Sequence, residues 1–157
     1  MALQIRRGDK VTGPLRESTI FSINHILDKS IRTLSKLPST LFVQTDDINC
    51  VEEIKEILPG IEIISRAGED TQGFFMRDLV EASPEERWKH TCSLLIENEI
   101  LLRATRAFVD DRSNLGRFHK LAAWDKVSLY ANPSDAEVLE DNDLIGPWNF
   151  QKVVVHS

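Results

Sequence analysis

Strand-like and helix-like segments alternate along this chain, and the strands are short and apolar on both faces. Those two features predict a mostly parallel sheet covered by helices on each side. A third feature is that polar clusters fall directly after strands, where sheets of this kind carry their ligands. Together they predict an α/β, Rossmann-like three-layer sandwich with a sheet of about five strands. At 157 residues the chain suits one domain with a real core. That domain is expected over residues 1–130, with an acidic tail at 131–157 that packs on it or on a missing partner domain.

Leu3 to Ile5 reads as the first strand. The polar stretch from Arg7 to Arg16, with Gly8, Gly13 and Pro14, reads as a loop. From Glu17 to Leu37, apolar residues recur at helical spacing (Ile20, Phe21, Ile23, Ile26, Leu27, Ile31, Leu34) until Pro38-Ser39 stops them. "TLFVQTDD" is a compact strand running into two aspartates. "CVEEIKEIL" is a second amphipathic helix, stopped by Pro59-Gly60, and "IEIIS" is a third strand. Residues 66–82 read as irregular. Ser83-Pro84-Glu85-Glu86 starts a helix, with a capping serine, proline in the first turn and two acids near the positive end of the dipole. It is expected to run to about Arg103 or Thr105. "AFVDD" is the fourth strand, "RSNLGRFHKLAAW" a loop entering a helix capped by Ser113, and "KVSLY" the fifth strand.

Composition bounds the function. A net charge of -6 and a pI near 5.2 argue against a general binder of nucleic acid or of a membrane surface. The two cysteines, Cys50 and Cys92, form no CxxC pair or zinc pattern and read as free thiols in a reducing compartment. The four histidines are scattered, so no metal site is expected. No apolar run is long enough to span a membrane and no signal peptide is evident, so the chain as given is expected to be cytoplasmic. Its abrupt entry into a strand and a charged motif is what one domain of a larger protein would show. Neither GxGxxG nor GxxxxGK[ST] is present, so an ordinary dinucleotide or P-loop site is not expected.

Three clusters carry the chemistry. In "QIRRGDKV" the consecutive Arg6 and Arg7 point to opposite faces of a strand, so one of them can face a ligand. A guanidinium there forks onto a diphosphate and offsets charge on a leaving group. The other arginine could pair with Asp9, Asp46 or Asp47; the plain alternative is a salt-bridged strand end. Thr45-Asp46-Asp47 either holds the arginine loop or caps the next helix. Ser113-Asn114, at a helix start, offers a hydroxyl and free backbone N–H groups to an anion or serves as a simple cap. Glu97 and Glu99 lie among apolar residues; one turned inward would need a partner, and the two N–H donors of a guanine edge would satisfy it.

In this order, the clusters resemble the donor-binding half of the α1,6-fucosyltransferase family. "QIRRGDKV" is similar to its His-Val-Arg-Arg-Thr-Asp-Lys-Val motif, "FVQTDD" to its strand-Thr-Asp-Asp motif and "RSNLGR" to its Ser-Ser-Gln/Asn-x-x-Arg motif, over roughly residues 3 to 130. The resemblance implies one half of a two-domain GT-B glycosyltransferase that binds GDP-fucose without a metal or other cofactor. It implies that Arg6 meets the β-phosphate, that Arg7, Asp9, Lys10, Asp46 and Asp47 shape the site, and that Ser113 with Asn114 holds phosphate. Asp9 is the candidate general base. Glu97 falls where the family has a base-reading aspartate, with Glu99 the alternative by register and Glu17 standing for a loop glutamate. Three departures are visible: Gln4 replaces the motif histidine, Arg112 replaces the first serine, and the acceptor half is missing.

The expected function is therefore inverting transfer of a sugar from a GDP-sugar to a glycan hydroxyl, with the isolated half inactive until an N-terminal half presents the acceptor. The alternatives are a non-catalytic Rossmann-like interaction module and a transferase using another nucleotide sugar. No nucleic-acid partner is expected.

Overall fold

In a computed structural model, described here for residues 1–8, 20–69, 71, 73 and 76–131, five parallel strands form one sheet. They are β1 (Ala2–Ile5), β2 (Thr40–Thr45), β3 (Glu62–Ser65), β4 (Ala107–Asp110) and β5 (Val127–Ala131). Their order is β3-β2-β1-β4-β5. The helices are α1 (Ile23–Lys29), α2 (Ile48–Ile57), α3 (Met76–Glu81), α4 (Pro84–Arg103) and α5 (Asn114–Ala122). The predicted α/β sandwich is thus observed, with every strand pair parallel. The first strands spread one way from β1, and the chain then returns to place β4 on its other side. Between β1 and β4 the direction of winding reverses, which opens a crevice at their carboxyl ends.

Side-chain alternation divides the core in two. Leu3, Ile5, Leu41, Val43 and Phe108 pack with Ile23, Ile26, Leu27, Val51 and Ile54 of α1 and α2. The opposite face is smaller: Ala2, Phe42, Ala107, Val109 and Val127 meet Leu101 of α4. Between the strands and helices of that second face lie buried polar side chains, Gln4, Gln44 and His119.

Three readings are corrected. Of the helix expected from Glu17 to Leu37, residues 17–19 lie outside the described residues, and residues 20–37 hold the seven-residue α1 followed by a single 3-10 turn over Ile31–Thr33. Ser22 caps its start, accepting from the His25 amide. Ser30 ends it, because its hydroxyl turns back to the Ile26 carbonyl (2.5 Å) while its own backbone leaves helical geometry. The apolar spacing persists because the 3-10 turn keeps Ile31 in the core. Within the stretch read as irregular, α3 is helical although no capping signal announces it. Ala131, placed with the tail, is the last residue of β5. Residues 132–157, with the rest of the expected tail, lie outside the described residues. Among the described residues no helix is long and apolar enough to cross a membrane.

Candidate functional site

The carboxyl ends of β1, β2 and β4 gather the polar clusters. Arg6 and Arg7 follow β1 and diverge, as strand alternation requires. The Arg6 guanidinium turns to the α4 side and meets Asp46 Oδ2 at 3.2 Å. Arg7 turns to the other side, where Nη2 donates to the Phe21 carbonyl (2.8 Å) and Nε to Cys50 Sγ (3.4 Å). The Asp46 carboxylate thus ties the pair together through the Arg6 side chain and the Arg7 amide, which donates to Oδ1 at 2.7 Å. Gly8 follows at φ 60, a left-handed turn that a side chain would resist.

Asp47 stands apart from the arginines. Its Oδ1 accepts from the Asn49 amide (3.0 Å) and caps α2. Burial raises the Cys50 thiol above its ordinary pKa, although Arg7 pulls the other way. Cys50 is therefore a buried thiol packed under Arg7.

On the far side of the crevice, Asp110 and Arg112 form a bidentate pair, with Nε–Oδ1 at 2.9 Å and Nη2–Oδ2 at 2.7 Å. Both side chains are 7% exposed, and the guanidinium lies 4.1 Å from the centroid of the Phe21 ring. The residue that departs from the family motif is thus locked against the end of β4. Ser113 caps α5: Oγ accepts from the Gly116 amide (3.0 Å) and donates to the Asp110 carbonyl (3.1 Å). Gln4 Nε2 reaches the same hydroxyl across the crevice at 3.4 Å. Asn114, the first residue of α5, is exposed at that helix start.

Glu97 and Glu99 part company. Glu99 faces solvent and pairs with Arg103 one turn on (2.5 Å). Glu97 is half-buried. Loss of solvent raises its carboxyl above the usual range, Arg66 and Gln44 moderate the rise, and Asp46 adds to it. That places Glu97 in the field of Asp46, the carboxylate that holds Arg6. His90, also on α4, has its pKa lowered by burial and then by the charge of Arg6. Asp9, Lys10 and Glu17 lie outside the described residues.

Sequence reading missed a buried chain of polar groups beneath this edge. Gln4 and Gln44 are register partners on β1 and β2. Gln44 Nε2 donates to Asn98 Oδ1 (2.9 Å), which also contacts His119 Nε2 (3.0 Å). A carbonyl oxygen cannot donate, so His119 carries its proton on Nε2 and leaves Nδ1 as an acceptor. Burial lowers the His119 pKa to about 4. Gln4 Oε1, Gln44 Oε1 and His119 Nδ1 are buried and meet no donor among the described residues. The available signal was a glutamine at the same position in two strands of otherwise apolar residues.

Among the described residues, no three of His, Cys, Asp or Glu converge as metal ligands. The opposite edge of the sheet holds an open depression between Leu37, Pro38, Leu58, Pro59 and Thr105, lined by no carboxylate or imidazole. The chemistry-bearing groups are thus at the carboxyl edge. The chain matches no model of a known protein family and no curated protein.

Proposed function

We propose that the chain is the donor-binding half of a fucosyltransferase-like glycosyltransferase, taking a GDP-sugar at the crevice between β1 and β4. The observation that carries the reading is the placement of Arg6 there. It stands at the winding reversal, held by Asp46 at 3.2 Å, with its charge felt by His90 of α4. Sheets of this type bind nucleotides at that place. Glu97, half-buried beside Gln44, is an acceptor suited to the N–H edge of a base.

With an acceptor half present, a glycan hydroxyl attacks the anomeric carbon from the face opposite the phosphate. The new C–O bond forms as the bond to the β-phosphate oxygen breaks, so configuration inverts. The electron pair leaves with GDP, and Arg6 offsets that charge. Asp9 is the candidate to receive the hydroxyl proton. Arg7 and Asp46 hold Arg6 in place, Lys10 and Asp47 border the site, and Ser113 and Asn114 present the start of α5 to phosphate. No metal takes part.

A second reading is a non-catalytic Rossmann-like interaction module. What favours it is that Asp47, Arg112 and Ser113 are all engaged inside the fold, as a cap, a buried ion pair and a cap. Isothermal titration of the 157-residue chain with GDP and UDP, on wild type and Arg6→Ala, separates the readings. The donor-half reading expects GDP to bind in preference to UDP. It expects Arg6→Ala, with unchanged circular dichroism, to weaken binding about 10- to 100-fold, the value of one charge-assisted contact. Binding of UDP instead would keep a transferase with another donor. Failure of both nucleotides to bind the folded chain would favour the interaction module.

A further inference from the structure

Helix α4 is apolar on a side that stays exposed among the described residues. Its sheet-facing side carries Leu94, Glu97, Asn98 and Leu101, of which only Leu101 is fully buried. Its outward side carries Trp88, 69% exposed, with Leu95, Ile96 and Ile100. At 3.6 residues per turn these four side chains and Cys92 occupy one continuous arc of about 140°. Residues 84–91, the first two turns, are largely exposed. The four outward side chains leave roughly 400 Å² of apolar surface in water, as much as the largest patch of a typical monomer. Phe118, Leu121 and Trp124 extend the exposed apolar surface of this helical layer onto α5 and the turn after it.

The charges on that arc decide what fits it. Glu85 pairs with Lys89 (3.0 Å) near the start of the helix, and Arg103 pairs with Glu99 (2.5 Å) at its end. The order is acid, base, then acid, base, with apolar residues between. When the helix is laid antiparallel on itself with the midpoint level with Leu94, Glu85 falls opposite Arg103 and Lys89 opposite Glu99. In the same register Trp88 falls opposite Ile100 and Cys92 opposite Ile96. Each charge of the arc meets its opposite, and Trp88, Cys92, Ile96 and Ile100 meet one another, while Leu95 falls opposite Ser93. A surface that complements itself under a two-fold rotation is what an isologous dimer requires.

We propose that α4 packs antiparallel on α4 of a second copy of this chain, about a two-fold axis level with Leu94. The apolar arc then closes, and the Glu85–Lys89 and Glu99–Arg103 pairs of opposite copies form a four-charge cluster at each end. The exposed apolar side chains then form the centre of the contact and the charged pairs its rim, the arrangement of a specific interface.

The test is sedimentation equilibrium of the 157-residue chain at micromolar concentration, with two variants at residue 96. Wild type is expected to be a dimer. Ile96→Lys puts a charge at the centre of the contact on a side chain that is exposed in the single copy, so the fold is kept. It is expected to raise the dimer dissociation constant at least 100-fold. Ile96→Cys is expected to cross-link to Cys92 of the second copy under mild oxidation, giving a covalent dimer on a non-reducing gel. Monomeric wild type, or a dimer that Ile96→Lys leaves intact, would overturn the proposal. So would a chain that dimerises only after residues 132–157 are removed, because that segment would then be the occupant. A dimer that fails to cross-link through Ile96→Cys would overturn the register.

Discussion

Gly116→Ala sets two physical effects against each other. Gly116 lies in the first turn of α5, where alanine is worth about 1 kcal/mol over glycine in helix propensity. Propensity alone therefore makes this substitution stabilising. The packing makes it the reverse. A Cβ on Gly116 would stand 2.0 Å from the Asp110 carbonyl oxygen and 2.7 Å from its carbon. A close carbon–oxygen contact is about 3.3 Å, so the overlap is roughly 1.3 Å, and the atoms in the way belong to backbone. Relief requires α5 to move off the end of β4, and Ser113 loses its hold on both the Gly116 amide and the Asp110 carbonyl. Overpacking costs about 1–3 kcal/mol and a lost cap about 0.5–2. Set against the propensity gain, the net is a loss of about 2 kcal/mol, or roughly 4–8 °C in Tm at this chain length. Thermal and urea unfolding followed by circular dichroism measures it. Gly60→Ala is the control: a Cβ there meets nothing within 4 Å, so stability should change by less than about 1 kcal/mol. A Gly116→Ala chain as stable as wild type would refute the close approach of α5 to β4, and with it this edge of the crevice.

Two further outcomes are expected. The His119 pKa is about 4 in the folded chain against 6.5 unfolded, so the unfolded state takes up the proton first as pH falls. The stability it contributes is present above pH 6.5 and is lost as pH falls toward 4. Urea unfolding at pH 7 and pH 5 should therefore differ by about 2 kcal/mol more in wild type than in His119→Gln, and equal slopes would show that His119 is not buried in its neutral form. Asp110→Ala removes the bidentate partner of the buried Arg112 and is expected to cost about 3–5 kcal/mol. In a double-mutant cycle with Arg112→Met the second loss should be much smaller, and strict additivity would contradict the pairing.

The sheet was legible because its strands are short apolar runs bounded by turns and alternate with helical spacing, although the edge strand β3 is exposed at Glu62 and Ile64. The Ser83 and Ser113 caps were legible because capping is local chemistry, settled within four residues. What failed to show was longer in range. Nothing in the spacing from Ile20 to Leu34 says that Ser30 turns back on Ile26, because a 3-10 turn keeps the same apolar residues inward. For Asp47 the cap was one of two readings available, and only the structure decides between them. The Gln44–Asn98–His119 chain joins β2, α4 and α5, and no local pattern announces a hydrogen bond between residues so far apart in sequence. Glu97 and Glu99 differ by two positions, about 200° around a helix, so their separation into one half-buried and one solvent-facing carboxylate depended on a register that the packing of α4 sets.

The motif that opens the chain divides along the sheet it leaves. Residues of β1 that face α1 and α2 (Leu3, Ile5) lead to Arg7, which meets Cys50 and the Phe21 carbonyl and closes that core from above. Residues that face α4 and α5 (Ala2, Gln4) lead to Arg6, in the field of His90 and beside Asp46. The two arginines therefore differ in what their loss removes. Arg7→Ala opens the end of a packed core and withdraws a donor from the half-buried Phe21 carbonyl, a cost in stability. Arg6→Ala removes one side of an ion pair at the crevice, a cost in electrostatics at the proposed donor site. If the fold of Arg6→Ala unfolds as readily as that of Arg7→Ala, the pair is a salt-bridged strand end. If only Arg7→Ala destabilises, the positive charge at residue 6 is not required by the fold, and its place at the winding reversal calls for a ligand.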